Sequence, residues 1–364
     1  VVATDDTKIY GSTTTSGGII YVNGVSSNSS AGYSVSGLVA GDTVSNVTLA
    51  SDGGLATKIV AAEPYSIVPS GVLGSTNVNS NNYNITYVPG DLTVNKATLS
   101  VAADSKTMVY GAALPTLTAT ITGFVNGETL STSGMTGVPL VTTPARGYDG
   151  VVAGSGSGVG TYAITAAQGS LSAANYNFVY NNGVLTVGKA TLTITTANDT
   201  KTYGDTTTAS GIAYLNSVAN VAYGSAAYSI SGLVNGDAVT AMNLVSAGAS
   251  STAGVLPGSY TITAGALTAS SYVNSANYNF VYVNGQMGVT PRPVTITADA
   301  QTKTYGSANP TLTYSTATVC ASGLSCGMVN GDVLVGTLAT TATNSSNVGS
   351  YAITQGTVSY THLR

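Results

Sequence analysis

Three observations predict an all-β chain of tandem antiparallel β-sandwiches of immunoglobulin-like size. They are a long internal repeat, strand-period alternation, and the lack of any helical stripe. The repeat shows first in Tyr10-Gly11, Tyr110-Gly111, Tyr203-Gly204 and Tyr305-Gly306, which stand 100, 93 and 102 residues apart. Solenoid units run about 20–50 residues, so this longer period marks a complete small domain with its own core. Within a repeat, runs such as Ala190-Thr191-Leu192-Thr193-Ile194-Thr195 set every second, apolar residue on one face. No window keeps a 3.6-residue stripe with caps.

The third repeat gives the order of elements. After the Ala190 run, Asn198-Asp199 turns the chain into Lys201-Thr202-Tyr203-Gly204. Ala227-Tyr228-Ser229-Ile230-Ser231 alternates again and leads into Gly232-Leu233-Val234-Asn235-Gly236-Asp237. Asn-Gly between alternating segments signals a tight turn, because both residues accept positive φ. The same phrase runs from Gly37 to Asp42, from Gly123 to Glu128 and from Gly327 to Asp332. Ser259-Tyr260-Thr261-Ile262-Thr263 is the next strand, and Tyr65, Tyr162 and Tyr351 open its counterparts. Last, Tyr278-Asn279-Phe280-Val281-Tyr282 and Met287-Gly288-Val289 flank Asn284-Gly285, which reads as a closing hairpin.

These phrases place domains at residues 1–95, 96–188, 189–290 and 291–364. No Gly/Ser linker separates them. Leu92 to Val101 and Leu185 to Leu192 run from last strand to first strand, and Pro291 and Pro293 stiffen the third passage. The expected arrangement is an elongated rod, on the order of 150 Å for sandwiches in line. The first repeat begins midway through its first strand, and the fourth lacks the Asn-Tyr-Asn hairpin after Tyr351-Ala352-Ile353. Either the chain continues, or a strand from another copy, with Val1 to Thr4 as donor, completes the fourth repeat.

Composition narrows the function. Charged residues are 7% of the chain, against roughly 25% in ordinary globular proteins. The 10 Lys and Arg are scattered and the net charge is −4, so no basic stripe exists for nucleic acid or for an anionic membrane surface. No apolar run approaches the ~20 residues that span a bilayer. The one histidine, His362, lies in the terminal tail, and no nucleophile–base set is recognisable. Neither enzymatic activity nor a cofactor is expected.

Three sets of residues remain as candidates. Asp42, Glu128, Asp237 and Asp332 recur in the turn phrase as possible calcium ligands, against plain turn chemistry in which Asp bonds nearby backbone N–H groups. Cys320 and Cys326 read as a small loop-closing disulfide in an oxidising compartment, with two free thiols as the alternative. Tyr83, Tyr87, Tyr176, Tyr180, Tyr278 and Tyr282 are paired at spacing four, each pair on one face of its strand. They suit core packing better than sugar stacking.

Together with Lys303-Thr304-Tyr305-Gly306-Ser307-Ala308-Asn309-Pro310, these phrases resemble the MBG and YDG-type repeats of very large bacterial surface and secreted proteins. The resemblance covers essentially the whole chain. It implies extracellular β-rich modules of adhesin-like or filamentous-haemagglutinin-like proteins, and no catalytic residues. Lys8, Lys201 and Lys303 stand two before the Tyr, but the second repeat has Met108 there. The expected function is a rigid stalk or fibre, with self-association or neighbouring repeats, and a host or matrix surface, as partners. The alternatives are a filament subunit completed by strand exchange and, more weakly, a carbohydrate-binding module.

Overall fold

The computed structural model describes residues 1–26, 31–39, 41–73, 82–150, 155–215, 218–256, 258–270, 273–317 and 326–360. Among them there is no α-helix, only strands, turns and short 3-10 segments such as Asp52–Gly54, Ala247–Ala249 and Ser275–Asn277. The chain forms two compact units. The first comprises Val1–Met108, Leu114–Arg146 and Gly160–Val187; the second comprises Val109–Ala113, Gly147–Val159 and Gly188–Arg364.

In the first unit, the first repeat builds a five-stranded sheet in the order Asp6–Ile9, Gly90–Asn95, Tyr65–Leu73, Asn46–Ala50, Val25–Ser26. Val2–Ala3 pairs with Tyr33–Ser34 beside it. The core draws on Ala3, Ile19, Tyr21, Val47, Leu49, Ile67 and Leu92. The second repeat has a three-stranded sheet, Ala119–Thr122, Ala97–Ala103, Tyr176–Asn181. Its second sheet runs Leu140–Thr142, Gly160–Ala167, Gly183–Gly188, Lys106–Val109. Alternation does what period two requires: Leu99 and Val101 are buried while Thr98 is exposed.

In the second unit, the third repeat sets Tyr228–Ser231, Ala190–Thr196 and Tyr278–Val283 in one sheet. The other sheet runs Asp199–Thr202, Gly285–Thr290, Ser259–Ser270, Val239–Val245, Val218–Ala222. Ile194, Met242, Leu244, Ile262 and Met287 fill the space between them. The fourth repeat shows shorter pairs: Ile296–Ala298 with Tyr314–Thr316, Leu334–Val335 with Ser359–Tyr360, and Ala339–Thr340 with Ile353–Thr354.

The all-β tandem reading holds, with two corrections in detail. First, the sheets are mixed. Ala190–Thr196 pairs with Tyr278–Val283 in parallel, as do Ala97–Ala103 with Tyr176–Asn181 and Asp6–Ile9 with Gly90–Asn95. A parallel pair needs a long crossover, and here the body of the repeat supplies it.

Second, Asn284-Gly285 is not a closing hairpin. Only Asn284 separates Tyr278–Val283 from Gly285–Thr290, and those strands belong to different sheets. One residue cannot form a two-residue hairpin loop, so the chain crosses from one layer to the other. A Cβ on Gly285 would stand 2.2 Å from the Ala197 carbonyl oxygen, so only glycine fits this step.

Val1 to Ala3 is not a spare strand. Val2 and Ala3 pair with Ser34 and Tyr33, and the Val1 amine donates to the Thr86 carbonyl at 2.9 Å.

Candidate functional site

The turn phrase is built alike wherever it is described. Asn126, Asn235 and Asn330 have φ of 55°, 57° and 53°, and the glycines after them have φ of 70°, 72° and 76°. Two consecutive positive φ values define a type I′ turn. The N–H groups of Glu128, Asp237 and Asp332 close it on the carbonyls of Val125, Val234 and Val329 at 3.0, 3.0 and 2.9 Å. The turn therefore projects one valine and one carboxylate.

A tyrosine of the same repeat holds that carboxylate. Tyr176 donates to Glu128 Oε2 at 2.5 Å and accepts from the Val125 N–H at 3.2 Å. Tyr278 does the same with Asp237 Oδ2 at 2.6 Å and the Val234 N–H at 3.2 Å. Tyr83 does so with Asp42 Oδ2 at 2.5 Å and the Val39 N–H at 3.1 Å. These are the first tyrosines of the Asn-Tyr-Asn phrases.

The Tyr-Gly pair of the preceding repeat then meets the same turn. In the first unit Tyr10 donates to Glu128 Oε1, and its ring stands edge-on to Tyr176 with centroids 5.6 Å apart. In the second unit Tyr110 donates to Asp237 Oδ2 at 3.1 Å, with its ring edge-on to Tyr278 at 5.5 Å. Tyr203 donates to Asp332 Oδ1 at 3.3 Å. Edge-to-face packing adds about 0.5–1.5 kcal/mol beyond burial.

The glycine is there for close approach. A Cβ on Gly11, Gly111 or Gly204 would stand 2.5, 2.4 or 2.5 Å from an atom of Val125, Val234 or Val329. All three glycines also take positive φ, at 89°, 80° and 87°.

The turn asparagine completes the joint. The Gly11 N–H donates to the Ala56 carbonyl, and Asn126 Nδ2 donates to that same carbonyl at 3.1 Å. Gly204 and Asn330 share the Ser251 carbonyl in the same way, Asn330 at 2.7 Å. Asn235 instead donates to the Tyr110 hydroxyl at 2.8 Å and accepts from the Gly156 N–H at 2.9 Å.

The lysine before the Tyr-Gly pair fixes the neighbouring carbonyl of each such loop. Lys8 Nζ reaches the Ser12 and Leu55 carbonyls, Lys201 those of Asp205 and Ser250, and Lys303 those of Ser307 and Thr343. Burial pushes the Lys8 and Lys201 ammonium groups below the usual lysine range. In the second repeat Met108 fills that place, buried and apolar.

The joint in the first unit is also a core. Tyr10, Val94, Ala97, Leu99, Ala173 and Tyr176 form one apolar cluster across residues of both repeats, with Val60, Phe124 and Val125 packed against it. Burial, and then the bond to Glu128, pushes the Tyr176 phenol up to about 12 and raises Tyr10 as well. Burial is also the leading cause of the raised values of Tyr278 and Tyr110, with Asp237 adding to both. Phenols held this way stay neutral donors to a carboxylate. They are fasteners, not acids or bases at work near neutrality.

The sequence candidates sort accordingly. Asp42, Glu128, Asp237 and Asp332 each accept from tyrosine, and among the described residues no group of three or more His, Cys, Asp or Glu gathers. Cys320 and His362 lie outside the described residues. Cys326 is buried, and its carbonyl accepts from Arg292 Nη2 at 3.3 Å. The tyrosine pairs divide: Tyr176 and Tyr278 are buried, whereas Tyr180 and Tyr282 stack on Phe178 and Phe280. Sequence reasoning missed Arg292, which binds Asp205 Oδ1 at 2.8 Å and the Tyr203, Gly327 and Cys326 carbonyls. A signal for the joint existed in the fixed order of Tyr-Gly and the next repeat's carboxylate, 118, 127 and 129 residues later.

A chain of β-modules joined through a repeated tyrosine–carboxylate contact defines a class of tandem structural repeats. This chain belongs to the MBG domain (YGX type) family, whose pattern matches residues 1–93, 99–186, 192–288 and 294–362. No curated protein matches it. Among solved structures it is similar to an I-band fragment of titin at 10% identity and TM-score 0.23, covering 63% of this chain and 74% of that one. It is similar to an S-layer protein at 14% identity and TM-score 0.17, covering 80% of this chain and 40% of that one. A Drosophila N-cadherin fragment matches at 10% identity and TM-score 0.18, covering 80% of this chain and 99% of that one. The family match, not these distant likenesses, carries the assignment.

Proposed function

We propose that this chain is a structural segment of a bacterial surface or secreted protein, a stalk or fibre that supplies reach rather than chemistry. The observation that supports this reading is the recurrence of one joint at Tyr10, Tyr110 and Tyr203, each closing on the next turn carboxylate. Direct side-chain contacts tie each of these Tyr-Gly pairs to the turn of the following repeat, which loose linkers do not. A surface with 7% charged residues is little affected by ionic strength. Adhesion, in this reading, belongs to another part of the protein. At Glu128 both carboxylate oxygens already accept from tyrosines, so a calcium ion there would compete with the joint.

Small-angle scattering of the whole chain tests the stalk. A rod on the order of 150 Å has a radius of gyration of roughly 43 Å, against about 21 Å for a compact globule of this length. A value near the compact limit refutes the reading. Protease shaving of intact cells tests the location: the segment should be released from the surface, and its retention inside cells counts against a surface role.

A further inference from the structure

The first and third repeats carry a pair of residues that the joint does not use. Four residues before the Tyr-Gly tyrosine stands Asp6 or Asp199, and eleven after it stands Tyr21 or Tyr214. The other two repeats lack both, with Lys106 and Ile121, or Gln301 and Thr316, in those places. A short hairpin leads to each of these tyrosines: the Thr15 and Thr208 N–H groups donate to the Ile19 and Ile212 carbonyls at 3.0 and 2.9 Å. Tyr21 is 1% exposed and Tyr214 4%.

Neither phenol hydroxyl has a hydrogen-bond partner among the described residues. A buried hydroxyl left unmatched is costly, and such groups are rare in folded chains. Tyr214 lines a partly enclosed cavity of about 110 Å³, together with Asp199, Ile212, Ala227, Leu244 and Ile262. A water needs about 10–15 Å³ of such space, so the cavity admits several waters or one short alcohol. The carboxylate beside it is held from the far side. Asp199 Oδ1 accepts from the Thr200 and Ser210 N–H groups at 2.8 and 3.3 Å, and Oδ2 accepts from the Ser210 hydroxyl. In the first repeat Asp6 Oδ1 takes the Thr7 N–H, the Ser16 hydroxyl and the Gly17 N–H at 2.7, 2.7 and 3.0 Å. Asp6 Oδ2 is buried without a partner among the described residues, the nearby Thr15 hydroxyl falling outside bonding geometry. Ile19, Leu49 and Ile67 share a core with Tyr21, as Ile212, Leu244 and Ile262 do with Tyr214. Burial, and then the carboxylate charge, raises both phenols to about 12, so each keeps its proton.

A group that satisfies this pair must accept from a phenol and donate to a carboxylate. A hydroxyl does both, whereas an ammonium only donates and an anion is repelled by the aspartate. We propose that Asp199 and Tyr214 frame an internal binding site for a small hydroxylic guest, water or a short alcohol, and that Asp6 and Tyr21 frame a second. The alkyl walls accommodate the tail of an alcohol. The inference concerns the interior of two repeats, and its test leaves the stalk reading untouched.

Tyr214→Phe and Tyr21→Phe in the whole chain keep the ring and remove only the hydroxyl. Where a guest bonds the phenol, each variant loses that bond, so its urea midpoint should fall below that of the parent. An unmatched hydroxyl gives the opposite sign, because its removal relieves a cost. Two measurements separate the sources of the guest. With water, magnetic relaxation dispersion should count fewer long-lived internal waters in each variant than in the parent. With alcohol, saturation transfer from the protein to added ethanol should fall about fivefold in the double variant, the worth of one hydrogen bond per site. The proposal is overturned if either variant's midpoint rises or stays at the parent value, or if the double variant keeps both the water count and the ethanol signal of the parent.

Discussion

Replacing Asp237 by alanine removes the acceptor on which Tyr110 and Tyr278 converge, and the structure sets the cost. The carboxylate is 8% exposed and takes both hydroxyls on Oδ2, at 3.1 and 2.6 Å. A hydrogen bond to a charged group is worth about 1.5–3 kcal/mol. A fallback acceptor recovers part of two such losses: Tyr278 still reaches the Val234 carbonyl at 3.3 Å, whereas Tyr110 keeps only the bond it accepts from Asn235. The expected loss is about 3 kcal/mol for Asp237→Ala, and roughly half that for Asp237→Asn, which keeps a neutral acceptor. In urea, with a slope near ~1.5 kcal/mol per molar, Asp237→Ala should lower the midpoint of one transition by about 2 M. Tyr110→Phe combined with Asp237→Asn closes a double-mutant cycle, in which the pair should show coupling of about 1 kcal/mol. An Asp237→Ala loss under about 0.5 kcal/mol, the range of surface changes, or a cycle with no coupling, refutes the joint.

Other outcomes follow from the same geometry. Gly111→Ala should cost more than Gly306→Ala, by about 2 kcal/mol in thermal unfolding, since both strain a positive φ but only the first drives a Cβ against Val234. Lys201→Met should cost about 1 kcal/mol and Lys201→Ala about 3 kcal/mol, because methionine keeps the buried stem, as Met108 does in the second repeat. Equal costs in denaturant melts would show that the ammonium, not the stem, matters. Alkaline titration should resolve two classes of phenol by tyrosinate absorbance. Burial, with Glu128 adding at Tyr176, raises Tyr21, Tyr176 and Tyr214 to about 12 in the folded chain from 10.0. Folding thus favours their neutral form, so their contribution is full below pH 10 and is lost as pH rises towards 12. A single titration class near pH 10 with unchanged stability contradicts this.

Strands and turns were legible because they are local. Alternation in Ala190 to Thr195 and the Asn235-Gly236 dipeptide contain their own physical reason: a buried face in one case, two positive φ values in the other. The same dipeptide misled at Asn284-Gly285, where the flanking residues belong to different sheets and the glycine serves close backbone approach. Alternation tells which side of a strand is buried but not which strand lies beside it, so the parallel pairing of first and last strands was hidden. The joint was hidden for a related reason. Tyr110 and Asp237 looked like unrelated repeats of common turn chemistry, and only their contact across 127 residues makes them one device. The carboxylates read as metal candidates because sequence shows acceptors without showing the phenols aimed at them.

The parallel pairing has a mechanical consequence. In the third repeat, Ala190–Thr196 enters beside Tyr278–Val283, and Asp199–Thr202 lies beside Gly285–Thr290, each pair running in one direction. When tension draws the beginning of a repeat away from its end, such strands slide lengthwise past each other. Their ladder bonds must then break together. An antiparallel pair of terminal strands pulled the same way opens like a zipper, one bond at a time. Resistance to forced unfolding follows the height of the barrier rather than equilibrium stability. Modules of ordinary thermal stability can therefore bear high pulling force.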